Sequence, residues 1–287
     1  MNRVHPWFWI VVQVTCLVGV GVPSVVLAQA PAEPPPTQQK TDPQPDLINP
    51  DRPGIADGSN VIGRRRFQIE LGVQQESRKD GDTSVRTTFI PTLLRFGLND
   101  RWEARVEGNN FTFLRTSDPI AGVTNISGLA PASIGFKYHF QDQRSPGKRP
   151  SLGTIFRLFP ASGSSDFATH HTTGDLRLVA DWAVTDQWSL NPNAGVAIYE
   201  DGQGGTFTTG LFALTLNYNP TPRINPFIDM GLQAPEQRNG RSSLIFDLGL
   251  AFIVSQNLQL DVSYGTGTLG HTPPHPFWSL GISARFN

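Results

Sequence analysis

Three groups of residues in this 287-residue chain have the types and spacing to do chemistry. The first is Gly265-Thr266-Gly267-Thr268-Leu269-Gly270, the spacing of a glycine-rich loop that cradles a dinucleotide phosphate. That chemistry needs a helix directly after the loop. Pro273, Pro274 and Pro276 stand there instead, and proline removes an N–H and clashes with the preceding helical turn. The second group is histidine: His170-His171, and His271 with His275, because imidazole is a common metal ligand. No carboxylate is spaced to complete either pair, so solvated loop histidines are the simpler reading, and neither a metal nor a cofactor is expected. The third group is a set of charged side chains that share one side of a two-residue alternation. Arg95, Arg105, Lys137, Arg157 and Arg177 fall on that side together with Glu103, Glu107 and Asp181. Further along come Asp229, Asp247 and Asp261, with no Lys or Arg beside them. Charges taken out of water must be paired or hydrated, so these residues need a common polar space.

The elements that must position them are strands. Successive strand side chains point to opposite faces, and from Phe67 to the C-terminus apolar residues recur at every second position. Twelve such segments are read. Phe67, Ile69, Leu71 and Val73 alternate with Gln68, Glu70 and Gln74; Trp102, Ala104 and Val106 alternate with Glu103 and Arg105. The later segments include Leu244, Phe246, Leu248 and Leu250 opposite Asp247, and Trp278, Leu280, Ile282 and Phe286 at the end. Soluble antiparallel sandwiches alternate as well, so the connections must decide. Segments 99–101, 185–187, 219–222 and 255–257 are short, and 141–150 is the longer exception; 114–127, 160–173, 200–205, 234–241 and 266–276 are long and rich in Gly, Ser, Thr and Pro. Short and long connections take turns, as in an up-and-down barrel of even strand number with both termini at the same end. Trp102, Trp188 and Tyr218 lie beside short turns, and Tyr199, Phe207, Phe277 and Trp278 lie near long loops, the placing of two aromatic girdles.

Composition and the N-terminal stretch agree. Charged residues make up only 16%, against about 25% in ordinary domains, while 28 glycines and 24 prolines argue against a helical bundle. A net charge of −1 leaves no footprint for nucleic acid, and the single Cys excludes a disulfide scaffold. Residues 1–30 have a basic start with Arg3, an apolar run, and small residues at Ala28 and Ala30, the layout of a secretory signal peptide cleaved after one of them. Residues 31–65 form a Pro-rich tether and N-terminal segment, and 66–287 form the barrel. The Arg64-Arg65-Arg66 run reads as a solvated turn before the first strand, with a surface for anionic headgroups as the alternative. No apolar run of helical length follows, so a span of the membrane must be made by a closed barrel.

A resemblance follows from particular residues. Asp51-Arg52-Pro53-Gly54, the run Leu94-Arg95-Phe96-Gly97-Leu98 into Asn99-Asp100-Arg101-Trp102-Glu103, and Ile134-Gly135-Phe136-Lys137-Tyr138 resemble the outer-membrane transporter family named for the meta-pathway of phenol degradation. Residues 48–287 share it, through motifs that are mostly barrel geometry. Pro160-Ala161-Ser162-Gly163 departs from the family's usual Pro-Thr-Gly. The resemblance implies transport of small solutes, aromatic or hydrophobic ones among them, across the outer membrane of a Gram-negative bacterium, and it supplies no substrate residues.

The expected protein is therefore an all-β, transmembrane, up-and-down antiparallel barrel of about twelve strands, a channel for passive uptake and not an enzyme. A structural or loop-binding barrel is the alternative, and an outer-membrane lipid-modifying enzyme the third reading. The last requires a Ser/His pair on the membrane-facing wall, whereas alternation turns the one strand histidine, His139, inward with Lys137. Outer-membrane lipids are expected partners, as is the barrel-assembly machinery, through a C-terminal strand that ends Phe286-Asn287. Arg95, Arg105, Lys137, Arg157 and Arg177 should line one arc of the lumen and Asp229, Asp247 and Asp261 the other. Either the two arcs leave a narrow wet passage, partly occupied by residues 48–66, or they touch and fill it with ion pairs.

Overall fold

The computed structural model describes residues 46–201, 204–233, 235, 238, 240, 242–268 and 275–287. The expected signal peptide, most of the Pro-rich tether and His271 lie outside the described residues. Residues 45–287 form one compact unit.

Among the described residues there are fifteen strand segments: β1 (Phe67–Asp80), β2 (Thr83–Phe89), β3 (Thr92–Gly97), β4 (Trp102–Gly108), β5 (Phe111–Asp118), β6 (Gly122–Leu129), β7 (Ala132–Gln141), β8 (Ser151–Phe159), β9 (Thr173–Ala183), β10 (Trp188–Asp201), β11 (Gly205–Tyr218), β12 (Ile224–Gln233), β13 (Ser243–Ser255), β14 (Leu258–Thr268) and β15 (Phe277–Phe286). They make twelve staves, because β2 with β3, β4 with β5, and β6 with β7 are each one stave broken by two residues. The breaks fall at Ile90-Pro91, Asn109-Asn110 and Ala130-Pro131. Proline has no N–H to give a ladder, and Asn110 sits at φ 42°, a conformation that asparagine tolerates. Every neighbouring pair is antiparallel, and β15 closes the barrel on β1 in a register from Phe67↔Phe286 to Glu76↔Phe277.

The solvent preference of the two faces is inverted relative to a soluble protein. Leu248, Ile228, Ile134 and Leu178 are more than half exposed on the outer wall, while Gln68, Glu70, Arg95, Glu103, Lys137 and Asp229 are almost wholly buried inside. A closed barrel satisfies its backbone groups without water, so an apolar outer band suits lipid. At the end of the short turns the outer wall carries aromatic pairs: Trp102 with Tyr138 at 4.5 Å and Trp188 with Tyr218 at 4.7 Å between centroids.

Two expectations need correction. Residues 114–127 are not a loop. They belong to the hairpin of β5 and β6, paired from Phe111↔Leu129 to Asp118↔Gly122. With β2 and the end of β1 this hairpin forms a four-stranded sheet at the long-loop end of the wall, and its outward row passes from Phe111 and Phe113 to Arg115 and Ser117, so the apolar alternation stops there. At the same end, Phe207 and Phe277 do not join an outer girdle; both are buried, at 7% and 5% exposure. Consecutive strand residues point opposite ways, so Phe277 and Trp278 cannot both face out.

Candidate functional site: the lumen and the segment that crosses it

Residues 46–66 precede the first strand and run inside the barrel. Ile48, Ala56, Ser59 and Ile62 are buried there. The segment has no regular secondary structure, so its peptide groups need partners from the wall. Carboxylates supply them. Glu70 Oε2 accepts from Arg52 N at 2.9 Å, Asp229 Oδ2 from Ile55 N at 2.8 Å, Asp181 Oδ2 from Ser59 N at 2.7 Å and Glu103 Oε2 from Ile62 N at 3.1 Å. Asn193 clasps Asp57 on both sides, accepting from its N–H at 2.8 Å and donating to its carbonyl at 2.9 Å.

The charged side chains of the segment meet the wall charges of opposite sign. Asp51 receives Lys137 Nζ at 3.0 and 2.8 Å and Arg105 Nη1 at 2.7 Å, and Arg95 Nη1 stands 3.7 Å away. Asp57 bridges Arg105 at 3.1 Å and Arg177 at 3.2 Å. On the opposite wall Arg52 Nη2 contacts Asp261 at 3.0 Å and Ser279 Oγ at 2.8 Å. Arg52 fits because Gly72 and Gly281, directly paired across β1 and β15, leave its slot open: a Cβ would stand 2.7 Å from its guanidinium carbon at Gly72 and 2.4 Å from Nε at Gly281. Burial by itself would raise the Asp51 carboxyl, but Arg95, Lys137 and Arg105 hold it well below the usual carboxylate range. Asp57 is likewise lowered in spite of burial and of Asp51, chiefly by Arg105 and then by Arg177.

The wall also carries pairs of its own. Arg95 forks onto Glu103 with two contacts of 2.9 Å and touches Glu70 at 3.2 Å. Arg157 pairs with Glu107 and with Asp175. Asp247 lies opposite Asp229 in the β12–β13 register and is 6% exposed. The two arcs therefore do not fill the lumen by touching each other. The cationic arc reaches Asp51 and Asp57, the acidic arc reaches Arg52 and the peptide of Ile55, and the segment bridges them.

On either side of this bridge a cavity remains. One, of about 400 Å³, lies toward the short turns and is lined by Asn49, Asp181, Asn191, Asn217, Asn225 and Phe227 among others. The other, of about 360 Å³, lies toward the long loops and includes Gln74, Arg105, Glu107, Pro131 and Phe159. Asp51, Arg52, Pro53 and Gly54 line both, so these four residues form the septum between them.

The run Asp51-Arg52-Pro53-Gly54 is also one of the stretches on which the resemblance rested. A model of the family described as "Putative MetA-pathway of phenol degradation" matches residues 50–286. The chain belongs to this family. No curated protein sequence matches it. Among solved structures, the COG4313 outer membrane channel from Pseudomonas putida F1 is similar over 83% of this chain and 100% of its own, at 13% identity and a TM-score of 0.63. The beta domain of the Bordetella autotransporter Brka is similar over 76% and 98%, at 14% identity and a TM-score of 0.50. These likenesses place the phenol-degradation family member in the fold of outer-membrane β-barrels.

The remaining candidates resolve simply in this family member. Gly265 to Thr268 lie on β14, paired with Leu244 to Asp247, so no phosphate-binding turn exists there. His139 is buried, its Nδ1 3.1 Å from the Ser59 carbonyl and its Nε2 2.9 Å from Asp142. His170 and His171 both approach Glu200, at 3.3 and 3.1 Å. Among the described residues, no group of three or more His, Cys, Asp or Glu could hold a metal ion. Asp51, Arg52, Asp57 and Asp175 were not among the expected wall residues. The first three sit in residues 48–66, expected to occupy part of the lumen, but that segment has no periodicity to single them out, and of the three only Asp51 and Arg52 fall in a stretch that carries the resemblance.

Proposed function

We propose that the protein is an outer-membrane channel of a Gram-negative bacterium for passive entry of small solutes, held closed at mid-lumen by residues 51–62. The observation that carries this reading is the septum: two polar cavities share Asp51 to Gly54 and are otherwise separate. A barrel serving only as a wall or a loop platform gains nothing from open vestibules on both sides of a displaceable segment. The septum is bound by ion pairs and single hydrogen bonds, with no strand pairing to the wall, so it can leave without breaking a ladder. The polar vestibules admit small solutes with hydrogen-bonding groups, including hydroxylated aromatics. The family's association with phenol degradation supports this solute class, and the likeness to the COG4313 outer membrane channel supports passage.

Planar-bilayer conductance tests the proposal. The intact protein should show small, intermittent openings, and Asp51→Asn/Asp57→Asn should show larger and longer ones. A protein that inserts into the bilayer and conducts in neither form is a structural or loop-binding barrel.

A further inference from the structure

The four-stranded sheet that extends beyond the long-loop end of the wall has an outward face with an unusual charge pattern. The register aligns Ser77, Arg86 and Arg115 across β1, β2 and β5, and Arg115 continues to Asn125 on β6. Arg86 and Arg115 thus stand directly opposite each other on one face, and both are exposed. Like charges in that relation destabilise a sheet unless an anion lies between them. Neither arginine has an ion-pair or hydrogen-bond partner among the described residues. The outward positions around them are Gln75, Ser77 and Lys79 on β1, Ser84 and Thr88 on β2, Phe113 and Ser117 on β5, and Val123, Asn125 and Ser127 on β6. That set adds a third cation, Lys79, and contains no carboxylate.

The surface is not flat. A cleft of about 300 Å³ is lined by Arg86, Thr88, Phe113, Arg115, Asn125 and Ser127, so both guanidinium groups open onto one hollow. One strand repeat nearer the barrel, about 6.8 Å along the strand, Phe113 follows on the same face, and Phe111 and Leu129 come next, paired across β5 and β6. Phe113 is 49% exposed and Leu129 55%, and Phe111 packs on Phe113 at 4.9 Å between centroids. Cations therefore sit above an apolar patch along the direction that leads into the membrane.

We propose that this face is a binding site for a phosphorylated, acylated glycolipid of the outer leaflet. The phosphate lies between Arg86 and Arg115, which offer planar donors suited to phosphate oxygens, and the acyl chains lie against Phe111, Phe113 and Leu129. The shared chemistry is phosphate recognition, and the adjoining apolar rows select a lipid over free phosphate. The proposal rests on the channel reading and takes the long-loop end as the outer one, because outer-membrane barrels carry short periplasmic turns and longer extracellular loops.

Native mass spectrometry of the full chain in detergent tests it with three probes: diphosphoryl lipid A, the same lipid A without phosphates, and inorganic phosphate. Diphosphoryl lipid A should stay bound. The dephosphorylated lipid and inorganic phosphate should each bind about tenfold more weakly or worse, and Arg86→Gln/Arg115→Gln should lose about tenfold in affinity for the diphosphoryl lipid. Both positions are exposed, so the variant should keep the barrel, checked by its heat-modifiable gel mobility. Equal binding of the two lipids, equal binding of inorganic phosphate, or an unchanged affinity in the folded variant overturns the proposal. Conductance of the wild-type protein reports separately on the channel reading, because neither arginine reaches the lumen.

Discussion

Lys137 Nζ lies 3.0 and 2.8 Å from the two carboxylate oxygens of Asp51, across a sequence separation of 86 residues. Lys137 is on a barrel strand and Asp51 is on the septum, so this contact joins the wall to the segment that the proposed opening displaces. Arg105 and Arg95 converge on the same carboxylate. One carboxylate thus lies among three buried cations, and its loss would remove a counter-ion that all three share.

Asp51→Asn should weaken the seat of the septum by about 3–5 kcal/mol, the usual range for removing one partner of a buried ion pair. The barrel ladder is untouched, so the expected outcome is a rise in open probability in planar bilayers with heat-modifiable mobility retained. An unchanged open probability would show that Asp51 does not hold the septum.

Acid should open the channel. Asp51 and Asp57 are held below the usual carboxylate range while seated, whereas the released segment titrates in water near ~3.9. A group lowered in one state stabilises that state above the free pKa and loses the contribution as pH falls toward the lowered value. Below about pH 4 the released segment binds protons first and gains ground. Conductance recorded from pH 7 to pH 3 should be flat and then rise below that point, and the rise should be absent in Asp51→Asn/Asp57→Asn.

Gly281→Ala should dislodge Arg52. Its Cβ would lie 2.4 Å from Arg52 Nε and equally close to Asp261 Oδ1. The guanidinium is the end of a flexible side chain and can swing away, so the barrel should persist while the Arg52–Asp261 pair is lost. Modification of Arg52 by phenylglyoxal, read by mass spectrometry, should increase in the folded variant; unchanged modification would mean that the slot tolerates the methyl group.

Leu248→Arg should cost about 2–4 kcal/mol near the membrane midplane and less toward an interface. Leu248 is 63% exposed on the outer wall. Asp247→Asn, one residue away on the buried face, should change folding far less. Unfolding from lipid vesicles measures both, and the reverse order would contradict the assignment of faces.

The sequence by itself determined the staves, their even number, their antiparallel order and the side to which most charged residues turn. These follow from a two-residue period that any strand with lipid on one face must keep, since Leu248 and Asp247 cannot exchange places without moving every neighbour to the wrong medium. It did not determine the extension of β5 and β6, where the outward row passes from Phe111 and Phe113 to Arg115 and Ser117 and the apolar alternation stops. It pointed to residues 48–66 as partial occupants of the lumen but did not determine how they are held there. Residues 46–66 have no period, because an irregular segment takes its hydrogen bonds one by one from whatever the wall presents. Only the closed barrel brings Arg105, Lys137 and Arg177 to one side of that segment and Asp229 and Asp261 to the other, close enough for Asp51, Asp57 and Arg52 to pair with them. The septum is a property of ring closure, which fixes distances across the lumen that no spacing along the chain encodes.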